Sequence, residues 1–418
     1  MNESILKFAW KHRFYNQTQL TTTDNRELVV LKPGKENFDA GPDFFLADVR
    51  IDGTRWVGNV EIHIKSSDWL RHGHDTNTAY NNVTLHVVYE HDRDIQVNGV
   101  NLPTLELKNI ITPEFLATYD QIVAGKFKTI PCESVLSSVE PIYINSWVSR
   151  LLIERLSDRL NQLSLLFKHN RNDLNETFYQ WLSMGFGAKV NKEAFLQLAQ
   201  LVPYSLLRKY LSDKRLADAL LFGQSGMLPA QSDSRYVSHL IREYAHLKAK
   251  HRLRSMGLDA WKFMRMRPAN FPTIRLAQLS GLLFSSPLEH WYTQKLDDAH
   301  TFSINIDPFW ERHYSFYEST VEQQKRIGED FSHHLLINVI ASFRAFYLQQ
   351  HGEDWVTEVE NFFNSMPPER NKVLRSLEGI GLENRCGAQS QGLLQLYNVY
   401  CEQKKCLLCS IGYQILGK

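Results

Sequence analysis

The hydrophobic period of this chain changes once, near residue 110, and that change limits its fold more than any other feature. Before it, apolar residues alternate with polar ones; after it, they recur every three to four positions. Alternation puts successive side chains on opposite faces of a strand, whereas three-to-four spacing builds one apolar helix face. The chain is therefore read as α+β, with an N-terminal mixed β-sheet domain over residues 1–130 and a large all-α domain over 131–418.

In the first part, residues 3–15 have helical spacing, with Ile5, Phe8, Ala9 and Trp10 on one side. Strands are expected at Glu27–Leu31, Phe44–Ile51, Trp56–Lys65, Val83–Tyr89 and Leu102–Leu107. Asp52-Gly53 and Asn98-Gly99 supply hairpin turns. In the second part, Pro113 opens a helix, a position proline favours. Amphipathic spacing then recurs over 144–168, 192–201, 204–212, 215–222, 235–265, 272–284, 332–350, 354–364 and 388–400.

Composition excludes the disordered and fibrous classes, since 43% of residues are hydrophobic and 22% charged. The net charge of +1 gives no global field, so any nucleic-acid contact has to come from a local basic surface. The first seventeen residues lack the pattern of a secretory signal, and no run of eighteen apolar residues exists. A cytoplasmic location and no membrane partner are expected, and in that reducing setting clustered cysteines point to metal rather than disulfides.

Candidate chemistry follows from strand parity. In Trp56–Lys65, the side chains of Glu61, His63 and Lys65 share one face, and Val60, Ile62 and Ile64 share the other. Pairing across Asp52-Gly53 brings Asp43 to the same end of the hairpin. Two carboxylates, Asp43 and Glu61, suit Mg²⁺ or Mn²⁺, and a nearby lysine or histidine can orient the attacking water. A second polar site is expected just beyond, at Asp68, His72, His74 and Asp75. His86, inside an apolar strand, reads as a core histidine, and Trp69 as a packing residue.

Pro42-Asp43 leading one strand, with an acid and a lysine on the next, resembles the PD-(D/E)xK nuclease superfamily. The resemblance implies a restriction-endonuclease-like sheet and a divalent-metal site at Asp43 and Glu61. Two features depart from that pattern. Lys65 stands four residues after Glu61 instead of two, and His63 occupies the usual lysine place. Parity survives, but the reach along the strand grows by roughly 7 Å, so either His63 or Lys65 takes the lysine's role. More widely, the blocks GPDF, VEIHIKSSDW, HGHD, AYNNVTLHVVYEHD, IPCE, RPANFPTIRLAQL and YCEQKKCLLCSIG are similar to a bacterial domain-of-unknown-function family, number 2851. That similarity spans nearly the whole chain and carries no activity with it.

Three of the five cysteines, Cys401, Cys406 and Cys409, follow a C-x4-C-x2-C spacing near the end. Either Cys132 or Cys386 could complete four ligands for Zn²⁺ or an iron–sulfur cluster. In nuclease relatives of this type, one remote and three clustered cysteines can staple the nuclease domain. Here the spacing differs, and the acidic motif precedes Cys132. Residues 235–275 are rich in Lys and Arg with interleaved aromatics, and Arg252, Arg254, Lys262, Arg265 and Arg267 are the candidate contacts to a DNA or RNA backbone.

No phosphate-binding P-loop, dinucleotide glycine fingerprint, HExxH or GxSxG motif occurs. The expected function is a metal-dependent, nuclease-like phosphodiesterase. The alternative is an inactive nuclease-derived scaffold that binds nucleic acid or protein and carries a structural cysteine metal site.

Overall fold

The computed structural model describes residues 2–124, 130–296, 302, 304 and 306–417. Its class is α+β: a curled mixed sheet near the N-terminus, followed by a mostly helical region.

Helix α1 (Glu3–His12) starts where the Asn2 side chain accepts from the Ile5 amide and ends at Arg13, whose φ is 59°. It buries Ile5, Leu6, Phe8, Ala9 and Trp10. The sheet follows, with β1 (Leu28–Lys32), β2 (Lys35–Glu36), β3 (Phe44–Ile51) and β4 (Thr54–Lys65). A short helix α2 (Asp68–Arg71) and a tight turn at Thr78–Tyr80 make the crossover to β5 (Val83–Glu90). A small hairpin of β6 (Gln96–Val97) and β7 (Val100–Asn101) leads to β8 (Thr104–Glu106). The order is β1-β3-β4-β5-β8, with β2 added on β3. β1, β3 and β4 pair antiparallel, whereas β4–β5 and β5–β8 pair parallel.

Two local devices set the register of the β3–β4 hairpin. Asp52 and Gly53 both have positive φ, 46° and 78°, as a tight two-residue hairpin turn requires. From that turn the pairing runs Ile51 with Thr54 through Ala47 with Gly58. Beyond it lies a bulge, because Phe44 pairs with Val60. Leu46 in the bulge has φ 54°, and its neighbour Phe45 packs its carbonyl against Gly34 too closely for a side chain there. An unbulged hairpin would set Asp43 across from Ile62; the extra residue moves it to Glu61.

Helix α3 (Pro113–Ala124) and then α4 (Pro141–His169) begin the helical region. It continues with α5 (Leu174–Leu201), α6 (Tyr204–Leu207), α7 (Lys214–Gln224), α8 (Arg235–His251), α9 (Pro272–Ser285) and α10 (His290–Thr293). Next come α11 (Glu329–Leu335) and α12 (Ala341–Gln350), joined by one wide turn at Leu336–Ile340, and α13 (Trp355–Ser365). The chain ends with α14 (Lys372–Glu378), α15 (Gly387–Gln395) and α16 (Ser410–Leu416).

Spatially the chain divides into two units. One comprises residues 1–150, 371–382 and 393–418; the other comprises 151–370 and 383–392. The single cut expected at residue 130 is replaced by a division in which the C-terminal cysteine segment returns to the sheet unit. The second unit has its own core, with Phe178, Leu182 and Phe186 of α5 among Leu221 and Phe222 of α7, Leu279 of α9, and Phe343 and Phe346 of α12.

The helix expected over 235–265 ends at His251, because Arg252 turns into the left-handed region at φ 52°. The following segment is held by tertiary bonds instead of helical ones. The Met256 amide donates to Gln224 O at 2.8 Å, and the Trp261 indole donates to Ser225 O at 2.9 Å. Among the described residues, no helix is long and apolar enough to cross a membrane.

Candidate metal centre on the sheet

β4 carries Glu61 and His63 on one face, with Val60 and Ile62 on the other, and all four are buried. The crossover after β4 closes over the polar face. Helix α2 ends at His72, and the turn behind it returns His74 to the strand. Tyr80 stacks on the His74 ring at 3.8 Å between centroids, and Trp69 meets that ring edge-on at 5.4 Å. A short cap of aromatic side chains thus sets the position of an imidazole thirteen residues along the chain from Glu61, its partner on β4 at 3.2 Å.

The result is a compact set of ligand-type atoms. One ring nitrogen each from His63, His72 and His74 lies within 4.8 Å of the others. His63 Nε2 is 3.2 Å from His72 Nδ1 and 3.6 Å from Glu61 Oε1, and His74 Nε2 is 3.2 Å from Glu61 Oε1. Four ligands bound at zinc-like distances to one tetrahedral ion would lie about 3.3 Å apart. Three of the six separations in such a set bracket that spacing, and the grouping within 4.8 Å is that of the three imidazole nitrogens.

The surroundings hold these groups in place. Nε2 of His63 faces the cluster, and its Nδ1 shares a hydrogen bond with Nε2 of His86 at 2.9 Å, the donor being set by the tautomers of the two rings. This is the kind of outer bond that orients metal-ligating histidines. Nδ1 of His86 is buried with no hydrogen-bond partner. Glu61 Oε2 accepts from the Asp43 amide at 3.0 Å. Asp43 Oδ2 accepts from the Ile62 amide at 3.1 Å, and its Oδ1 pairs with the ammonium of Lys7 from α1.

Burial sets the protonation of the cluster. It pushes His63 down to about 2 and His74 to about 4, with neighbouring imidazoles adding to the effect. His86 falls to about 3 for the same reasons. Glu61 rises to about 8, first through burial and then through the carboxylate of Asp43. Burial also raises Asp43, against the pull of Lys7. At neutral pH His63 and His74 therefore present unprotonated nitrogens beside a carboxyl that holds its proton until a cation displaces it.

The residues expected from sequence fall into three groups. Asp43, Glu61 and His63 come together. His72 and His74, expected as a separate polar locus, join them. Lys65 is exposed; its amide donates to Asp68 Oδ2 at 3.1 Å, and its charge acts on Asp92. Asp68 itself pairs with Arg71 at 2.8 Å, and Asp75 is exposed. The cation at Asp43 is Lys7, thirty-six residues away along the chain, which no local spacing could have singled out.

Next to Asp43 opens a groove of about 560 Å³. Lys7 and Lys11 of α1 line one side, and Lys404 and Lys405 of the cysteine loop line another. Cys132, Cys401, Cys406 and Cys409 line a separate small cavity in the same unit. Cys386 lies in the other unit, 3.7 Å from Asn364 Oδ1. Arg252, Arg254, Lys262, Arg265 and Arg267 are all exposed in that second unit, spread over the end of α8 and the irregular segment after it.

Fold and site together define an α+β protein with a histidine–carboxylate cluster on its sheet. The chain belongs to the family described as protein of unknown function (DUF2851), which matches residues 3–372. No curated protein and no solved structure matches it. The matched span contains the whole cluster and Cys132, and stops before Cys401.

Proposed function

We propose that this protein is a metal-dependent phosphodiesterase acting on nucleic acid, with a divalent transition metal held by His63, His72 and His74 beside the carboxyl of Glu61. The observation that carries the reading is the spacing of 3.2, 3.2 and 3.6 Å between four ligand atoms on a rigid strand and its closing turn. Three imidazoles favour zinc, iron or manganese over Mg²⁺, which prefers oxygen. A bound ion of this kind supplies Lewis acidity to a phosphoryl oxygen and lowers the pKa of water.

The chain's own residues supply the rest. Asp43 keeps Glu61 in place through its amide and anchors the Lys7 ammonium at the mouth of the groove. Lys7, Lys11, Lys404 and Lys405 line the groove with Glu36, Asp39 and Asp43, four cations against three carboxylates, and this excess of one positive charge supports a phosphate backbone as its ligand. A three-stranded antiparallel array, followed by a crossover to a parallel strand, with Asp43 and Glu61 at the junction, also supports kinship to PD-(D/E)xK nucleases. In that comparison His63 stands where the lysine would, and Lys7 provides the cation from α1.

Asp43→Ala and Glu61→Ala should each abolish metal-dependent cleavage of single- or double-stranded substrates while the circular dichroism spectrum stays native. Cleavage at wild-type rate by both purified variants would sink the proposal. A second reading rests on Glu61. With it as a fourth protein ligand, a tetrahedral site is closed and structural. Tight metal binding with no cleavage of any nucleic acid, in the wild type, would favour that reading.

A further inference from the structure

We propose that Cys132, Cys401, Cys406 and Cys409 hold a second metal centre through four thiolates, and that this centre shapes the loop presenting Lys404 and Lys405 to the groove. Four of the chain's five cysteines line one cavity, and the other lining residues include Ile130, Leu136, Leu396 and Ile411. None of the four forms a disulfide. Cys132 arrives from a segment more than 260 residues away in sequence from the other three.

Over residues 401–409 the buried residues are Cys401 and Cys409, while Leu408 is 53% exposed. The backbone of the loop turns tightly around them. Lys404 takes φ 56°, its amide donates to Cys401 O at 3.1 Å, and the Cys409 amide donates to Cys406 O at 3.2 Å. Gly412 is required by the same geometry, since a side chain there would meet Cys406 O at 2.1 Å.

The chemistry of the donor set fits a thiophilic metal. Burial and the neighbouring thiols push Cys132 up to about 12, and the same causes raise Cys401. Cys409, raised by burial, receives the amides of Gly412 and Ile411, which favour a thiolate. Four thiolates suit an iron–sulfur cluster more closely than a single Zn²⁺, because among the described residues only His63, His72 and His74 bring three ligand atoms within 4.8 Å of one another. The same centre would tie the loop over α1, where Cys406, Lys404 and Lys405 form one wall of the groove and Lys7 and Lys11 another. This part of the inference concerns the shape of the groove and does not depend on what the groove cleaves.

The test uses the full-length chain purified without oxygen, with metal analysis and an absorption spectrum. One arm exchanges zinc for Co²⁺, expecting sulfur-to-cobalt charge-transfer bands, which the histidine–carboxylate cluster cannot produce. The other arm looks for iron with sulfide and broad visible absorption. In whichever arm is positive, Cys132→Ser should lose the signal, whereas Cys386→Ser and Glu61→Ala keep it. Trypsin should cut after Lys404 or Lys405 at least ten-fold faster once the metal is removed. The proposal is overturned if wild-type protein shows neither signal after reconstitution with Co²⁺ or with iron and sulfide, or if Cys132→Ser keeps it at full intensity. Equal tryptic rates with and without metal would overturn the role in shaping the loop. Since every readout comes from sulfur or from the loop, loss of the phosphodiesterase reading would leave these outcomes unchanged.

Discussion

Replacing Glu61 by Gln removes a charge from the sheet cluster while keeping the shape of the side chain, and it isolates the role of that carboxyl. In the metal-free protein the folded state raises Glu61 from 4.5 to about 8. For an acid whose folded pKa is raised, the folded state holds the proton more tightly than the unfolded state. Its contribution to stability is full below pH 4.5, falls as pH rises, and is gone once pH passes the folded value near 8. His63, His74 and His86 act in the opposite sense, since their folded values are lowered from 6.5. Their effect is confined below pH 6.5, so the window from pH 6.5 to 8 belongs to Glu61. One pKa unit is worth about 1.4 kcal/mol, so wild type should lose about 2 kcal/mol relative to Glu61→Gln across that window. Native-state hydrogen exchange of the β4 amides reads this in the sheet unit alone. Adding Mn²⁺ or Zn²⁺ should reverse the order. The ion takes the place of the proton and stabilises wild type by about 4 kcal/mol at a thousand-fold excess over its dissociation constant, and the Gln variant by less. Parallel pH profiles for the two metal-free proteins, or equal stabilisation of both by metal, would refute the reasoning.

The charge reversals Lys404→Glu and Lys405→Glu together should weaken binding of an oligonucleotide and reduce the slope of log K against log salt by about 1.4 to 1.8; fluorescence anisotropy at several salt concentrations checks this. In the second unit, Arg344→Met strands the Glu358 carboxylate, which Arg344 holds at 2.8 and 3.0 Å in a site where that side chain is 15% exposed. A loss of about 2–4 kcal/mol in urea unfolding is expected, with partial recovery on adding Glu358→Leu. Gly223→Ala should destabilise by about 1–2 kcal/mol, because its new methyl group would meet the Tyr244 ring at 2.0 Å and that clash outweighs the gain in helix propensity of about 1 kcal/mol. A higher melting temperature for Gly223→Ala would show that α7 and α8 can separate at small cost.

Much of the sheet was legible in the sequence because its signals are local. The Asp52-Gly53 turn sets the hairpin, and alternation in Val60–Lys65 separates Glu61 and His63 from Val60 and Ile62. The position of Asp43 beside Glu61 was only half legible. The turn brings the two strands together, but the bulge at Phe45–Leu46 supplies the one-residue shift that makes them partners. At the bulge the Phe45 carbonyl packs against Gly34, a contact that no alternation pattern encodes.

Elsewhere periodicity misled in an instructive way. The apolar spacing of 235–265 continues past His251, but the chain turns away there, and Met256 and Trp261 donate to the carbonyls of Gln224 and Ser225. The five basic residues of that segment consequently lie on a helix end and loops instead of one helical face.

The sequence by itself determined the α+β class, the change from strand to helix near residue 110, and the polar face of β4, since each depends on side chains a few positions apart. Tertiary structure decided which distant groups complete each site. It folded His72 and His74 back over Glu61, docked α1 so that Lys7 meets Asp43, and chose Cys132 over Cys386 to join Cys401, Cys406 and Cys409. It also returned residues 393–418 to the unit that begins at residue 1. Those choices depend on which buried surfaces fit together across long stretches of chain, and the period of a sequence reports only what its near neighbours share.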